Sequence, residues 1–211
     1  MINFFIILFG VTLLYIAGTS RLEAYIKTLS LQGIFLAVIV TLNVEHSLLS
    51  SVIVLIETLL FKSLIIPWFL LKTLRENKIK RETEPFLPNF YSLLIVSLIF
   101  FFGFILTYWS IENTTDSVKP LLFGMSISTI ITGLFIIVSR KKLLTHMIGF
   151  IILENGIFLL SVSSLTQMPV IVDLGVLLDI FLVVLLLGLF MNKVKSTFEE
   201  LEIDNLTNLK D

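Results

Sequence analysis

The chain has 211 residues, of which 56% are apolar and only 15% charged, with a net charge of -1 and a mean hydropathy of +1.02. So little polar surface excludes an ordinary soluble domain. With no cysteine, the chain cannot form disulfides, ligate a haem through a thiolate or hold an iron–sulfur cluster. Two histidines argue against a multi-His metal site, and no basic stripe points to nucleic acid.

A membrane-spanning helix needs roughly 20 mainly apolar residues. Seven such stretches follow one another, near 2–18, 22–43, 47–71, 89–110, 120–138, 142–165 and 168–191. The first has no basic leader and no small-x-small cleavage site, so it reads as a retained helix and not as a signal peptide. The third carries Glu57, Lys62 and Pro67. A polar stretch with Pro85 and Pro88 follows and reads as a cytoplasmic linker. Tyr108 and Trp109, near the end of the fourth span, suit an interfacial aromatic belt. The tail from Ser196 is acidic and then polar, either a solvated end or a strap for a neighbouring subunit.

With seven spans, the basic residues of the 18–22, 72–88 and 139–142 loops and of the C-terminal tail all fall on one side. Lys119 alone lies near the other. That asymmetry places the N-terminus outside and the C-terminus in the cytoplasm of a cell inner membrane. Six or eight spans would scatter the charges over both faces.

The two halves echo each other. Ser20-Arg21 follows the first span as Ser139-Arg140 follows the fifth. Gln32-Gly33-Ile34-Phe35-Leu36 matches Asn155-Gly156-Ile157-Phe158-Leu159. Val54-Leu55-Ile56-Glu57 matches Val176-Leu177-Leu178-Asp179. The expected fold class is therefore an all-α polytopic membrane protein of about seven transmembrane helices, with two parallel three-helix repeats joined by a connector helix. The expected units are 1–74, a linker and connector over 75–118, a second unit over 119–195 and a cytoplasmic tail over 196–211. Chance similarity between apolar stretches is the competing explanation. The matched depth of Glu57 and Asp179 weighs against it.

Glu57, Lys62, Glu154 and Asp179 sit well inside spans. An ionised group at bilayer centre costs about 2.5–3.5 kcal/mol on insertion scales. Four lipid-facing charges would thus cost on the order of 10 kcal/mol. They must face protein or water, pair with one another, or bind protons. Glu57 and Lys62 are five residues apart and diverge by about 140° on an α-helix, so Lys62 should look to another helix or another subunit. Its other reading is a lysine that snorkels to the interface. Pro67 cannot donate to the carbonyl of Ser63, which leaves an acceptor free beside Lys62. Glu154 and Asp179 lie mid-span on successive helices, where two carboxyls could share a proton. His146 and Asp173 are candidate relay ends, with interfacial placement as their alternative.

No phosphate-binding loop, nucleophile elbow or metal-ligand cluster is present, so no independent catalytic site is expected and enzyme status stays open. The chain resembles component E of hydrogenase-4-type complexes over essentially its full length. The resemblance rests on Gly149-Phe150-Ile151-Ile152-Leu153-Glu154-Asn155-Gly156, Asp179, Lys62 with Pro67, and the tail Asn205-Leu206-Thr207-Asn208-Leu209-Lys210. The second unit is also similar to the K subunit of respiratory complex I and the C subunit of multisubunit cation/proton antiporters. It departs from the K-subunit pattern in placing Glu154 five residues after Gly149, about one turn deeper.

The resemblance implies a non-catalytic membrane subunit of a complex-I-like hydrogenase or formate hydrogenlyase assembly. Its partners would be antiporter-like membrane subunits and hydrogenase-type subunits. Nickel–iron and iron–sulfur centres would lie in those partners, with no cofactor in this chain. Glu154 and Asp179 would be relay acids and Lys62 a member of a central polar axis, while Glu57 rests on the repeat alone. A subunit of a cation/proton antiporter and a structural scaffold are the alternative functions.

Overall fold

The computed structural model describes residues 1–43, 55–56, 58–76, 86–113, 119–164 and 188. These residues are almost wholly helical. In chain order they form α1 (Ile2–Gly18), α2 (Leu22–Asn43), a π-helical segment (Thr58–Ile65) that runs directly into α3 (Ile66–Glu76), α4 (Asn89–Asn113), α5 (Pro120–Ser139) and α6 (Leu143–Ser164). In hydrocarbon a backbone must satisfy its own N–H and C=O groups, and a continuous helix does so. Four of the helices, α2, α4, α5 and α6, are long and apolar enough to cross a membrane. At 17 residues, α1 reaches the short limit for a span. The chain is thus a polytopic all-α membrane protein. The seventh expected span, 168–191, lies outside the described residues apart from Gly188, which is helical and buried.

The third helix differs from its expected form in two ways. It extends to Glu76, past the expected end at 71. From Thr58 to Ile65 it is π-helical instead of α-helical, so the 100° step assumed for the whole span does not apply there. A π-helix closes i→i+5 bonds. Hydropathy is blind to that extra residue per turn.

Helices α5 and α6 pack most intimately. A Cβ on Gly133 would lie 2.6 Å from the Leu153 backbone nitrogen, and one on Gly149 would lie 3.0 Å from the Gly133 carbonyl oxygen. Only glycine at these two sites lets the backbones touch, the usual means of close packing where lipid supplies no hydrophobic drive. The contact face of α5 is rich in buried Ser and Thr. Their hydroxyls return to their own helix, as Thr129 does to Met125 O at 2.7 Å and Thr132 to Ser128 O at 2.7 Å. Helix α1 packs against α2, α4 and α5. Helix α4 forms the outer flank, with Phe101, Phe102, Phe104, Tyr108 and Trp109 all exposed.

Arg140 ties one end of the bundle together. Its side chain is 2% exposed. Nη1 donates to Asn89 Oδ1 at the start of α4, and Nη2 donates to Ala17 O at the end of α1. Phe86 N donates to Ser139 O nearby. The guanidinium therefore lies beside the negative end of α1, which favours a cation. At the opposite end Lys119 N donates to Ser163 O. The end of α1, the start of α4 and the end of α5 thus share one face of the bundle, and Lys119 lies at the other.

Candidate functional site

The site is built where α2, the π-helical segment and α6 meet. Two residues of α2 seat the π segment. Ser30 Oγ donates to Ser63 O at 2.6 Å, the acceptor that Pro67 cannot serve. One turn on, a Cβ at position 33 would lie 2.8 Å from Ser63 N and 2.9 Å from the Lys62 carbonyl carbon. Gly33 is therefore what allows the two backbones to lie in contact. Ser30 and Gly33, three apart, share one face of α2.

Lys62 leaves this seat and crosses to α6. Its Nζ is 2.5 Å from Glu154 Oε1 and 4.3 Å from the centre of the Phe158 ring. Glu154 and Phe158 are four residues apart, so carboxylate and ring lie on one stripe of α6 and together enclose the ammonium. Lys62 is 4% exposed and Glu154 5%. Glu154 lies eleven residues into the 22 of α6, about 16 Å from its start. This is a buried ion pair at mid-span. Such a pair holds its charges where neither alone would be tolerated.

A second polar chain runs beside it. Asn155 Nδ2 donates to Gln32 Oε1 at 3.4 Å, Gln32 Nε2 donates to Thr12 Oγ1 at 2.8 Å, and Thr12 Oγ1 donates to Phe9 O at 2.6 Å. Gln32 is fully buried and Asn155 nearly so. This chain stitches α6 to α2 and α2 to α1 at the depth of the ion pair. Gln32 and Asn155 are also the matched first residues of the two echoing segments, and here they bond to each other.

Of the residues singled out from sequence, Lys62 and Glu154 are brought together. Lys62 does not snorkel, and its partner lies within this chain. His146 is half-buried near the loop end of α6, with Nε2 2.6 Å from Arg140 O. It lies eight residues, about 12 Å, from Glu154 along the helix. The expected sites Glu57, Asp173 and Asp179 lie outside the described residues. Sequence reasoning did not assign Ser30, Gln32, Thr12 or Phe158 to the site. The signal available for three of them was a polar side chain inside an apolar span. Phe158 gave none. Among the described residues no group of three or more His, Asp or Glu could hold a metal ion.

No family model and no solved structure matches the chain. It is similar to an uncharacterised protein of Mycobacterium tuberculosis, 27% identical over 199 residues, covering 90% of this chain and 87% of that one. It is likewise similar to hydrogenase-4 component E of Escherichia coli and of Shigella flexneri, 27% identical over 129 residues. That alignment covers 61% of this chain and 59% of component E. The resemblance to hydrogenase-4 component E, expected over essentially the full length, is thus found over 61% of the chain.

Proposed function

We propose that the chain is a non-catalytic membrane subunit of a complex-I-like hydrogenase assembly of the hydrogenase-4 or formate hydrogenlyase type. In it, Lys62 and Glu154 take part in moving protons or ions, coupled to redox chemistry in partner subunits. The observation that carries this reading is the buried ion pair at mid-span. Two hydrophobic side chains in their place would serve stability as well, and a charge pair in hydrocarbon is retained where charge is used. The similarity to hydrogenase-4 component E supplies the kind of assembly.

The chemistry follows from the geometry. A proton arriving on Glu154 cancels the carboxylate charge and releases its hold on the Lys62 ammonium. Lys62 then turns to another acceptor, with the Phe158 ring holding it in the meantime. Loss of the proton restores the pair. The pair is therefore a two-state element whose position reports the charge on Glu154. Asp179 and Glu57 extend the route in this reading, with His146 and Asp173 as its ends. The amide chain through Asn155, Gln32 and Thr12 carries no net charge. Its part is to hold α6 against α2 so that Glu154 faces Lys62. The one-sided gathering of basic loops supports an inner-membrane protein with its N-terminus outside and C-terminus in the cytoplasm.

Purification of the tagged chain from its native host tests the assembly. Nickel, iron and hydrogen-evolving activity are expected to co-purify with it in fixed proportion. Co-purification of antiporter-type subunits without nickel or iron would refute the hydrogenase reading.

A further inference from the structure

A pocket of about 380 Å³ opens between α1 and the first turns of α2, at the end of the bundle where the basic loops gather. Small-ligand sites run from ~300 to ~1,000 Å³. Arg21, Glu23 and Lys27 line its polar part, and Tyr15 and Leu31 its apolar part. The three charged residues are all exposed. Tyr15 is 55% exposed and Leu31 42%. Leu31 lies nine residues into α2, about 14 Å deeper than its start. The charged part thus stands at headgroup level and the apolar part at acyl-chain level.

The charges are mixed, and the mixture is informative. Lys27 Nζ is 3.0 Å from Glu23 Oε1. Arg21 faces the same space without belonging to that pair, and Arg75 at the end of α3 acts on Glu23 through space. A purely anionic ligand would meet Arg21 and Lys27 but also the Glu23 carboxylate. A purely cationic one would meet repulsion from both bases. A ligand with a phosphate and an ammonium a few bonds apart satisfies all three. The exposed Glu23–Lys27 pair is weak enough to open around it. A primary ammonium offers N–H donors to Glu23, and a quaternary one offers none.

We propose that this pocket binds a phospholipid whose headgroup carries a primary ammonium, the phosphatidylethanolamine class. The phosphate lies on Arg21 and Lys27, the ammonium on Glu23, and an acyl chain along Tyr15 and Leu31. The site belongs to the cytoplasmic leaflet.

The test is native mass spectrometry of the full chain in detergent. The probes are phosphatidylethanolamine, phosphatidylglycerol and phosphatidylcholine with identical dioleoyl chains, and soluble phosphoethanolamine. Phosphatidylethanolamine is expected to be retained at least fivefold better than either other lipid. Glu23→Gln should abolish that preference or reverse it toward phosphatidylglycerol. Arg21→Ala should lower retention of phosphatidylethanolamine and phosphatidylglycerol alike. All three side chains are exposed, so these variants keep the fold. Equal retention of the three lipids, a wild-type preference for phosphatidylglycerol, or an unchanged preference in Glu23→Gln would each overturn the proposal. Displacement of the lipid by equimolar phosphoethanolamine would show a site for the free phosphate compound, and would overturn it as well.

Discussion

Removing one member of the Lys62–Glu154 pair should destabilise the chain far more than removing both. At 2.5 Å, with an effective dielectric constant near 20, two unit charges attract by about 6–7 kcal/mol. Against this stands a desolvation penalty of several kcal/mol per ion. The two nearly cancel while the pair is intact. In Lys62→Met the Glu154 carboxylate stays buried with the attraction gone, and in Glu154→Leu the ammonium is stranded. Each single variant should lose about 3–5 kcal/mol, while the double variant Lys62→Met/Glu154→Leu should return to within about 1–2 kcal/mol of wild type, or exceed it. Thermal unfolding in detergent, completed as a double-mutant cycle, reads the coupling directly. Additive losses, with the double variant worse than either single, would refute the direct pairing of these two side chains.

Other expectations follow from the parts around the pair. Ser30→Ala leaves the Ser63 carbonyl without its hydroxyl donor, which should cost about 1–3 kcal/mol in the same unfolding assay. Gly33→Ala places a methyl against the π-segment backbone and should lose about 1–3 kcal/mol, with Lys62 displaced; cross-linking between Lys62→Cys and Glu154→Cys should fall accordingly. Gln32→Leu breaks the amide chain and should cost about 1–3 kcal/mol, whereas Gln32→Glu should introduce pH-dependent stability that wild type lacks at this position. Because the chain has no native cysteine, single cysteines at Lys141 and Lys119 should react with an impermeant maleimide from opposite sides of the membrane, Lys141→Cys from the cytoplasm. Labelling of both from one side would contradict the topology.

The helices were legible in the sequence because hydropathy records them directly. The expected spans from the first through the sixth find helical counterparts, with bounds shifted most in the third. That the ends of α1 and α5 lie at one end of the bundle was legible because basic residues follow both. The role of Arg140 was not. In the sequence it is one more loop cation, whereas the fold buries it against the ends of α1 and α4. The partner of Lys62 was half legible. A partner on another helix was expected, although the α-helical step behind that expectation does not hold in the π segment; choosing Glu154, 92 residues away, requires the packing of α2 between them. The free carbonyl at Ser63 followed from Pro67 alone. That Ser30 satisfies it depends on the close approach permitted by Gly33, a contact between residues 33 positions apart. The π-helical segment left no trace in composition, since one extra residue per turn changes no hydrophobic average.

The central claim is that the Lys62–Glu154 pair takes part in ion movement coupled to hydrogen chemistry elsewhere in the assembly. Proton uptake into inverted membrane vesicles, measured together with hydrogen evolution in the same preparation, tests it most directly. In Glu154→Gln, hydrogen evolution should persist while proton uptake per hydrogen falls at least tenfold, and Glu154→Asp should restore part of it. Proton uptake at the wild-type ratio in Glu154→Gln, with the complex intact, would contradict the claim.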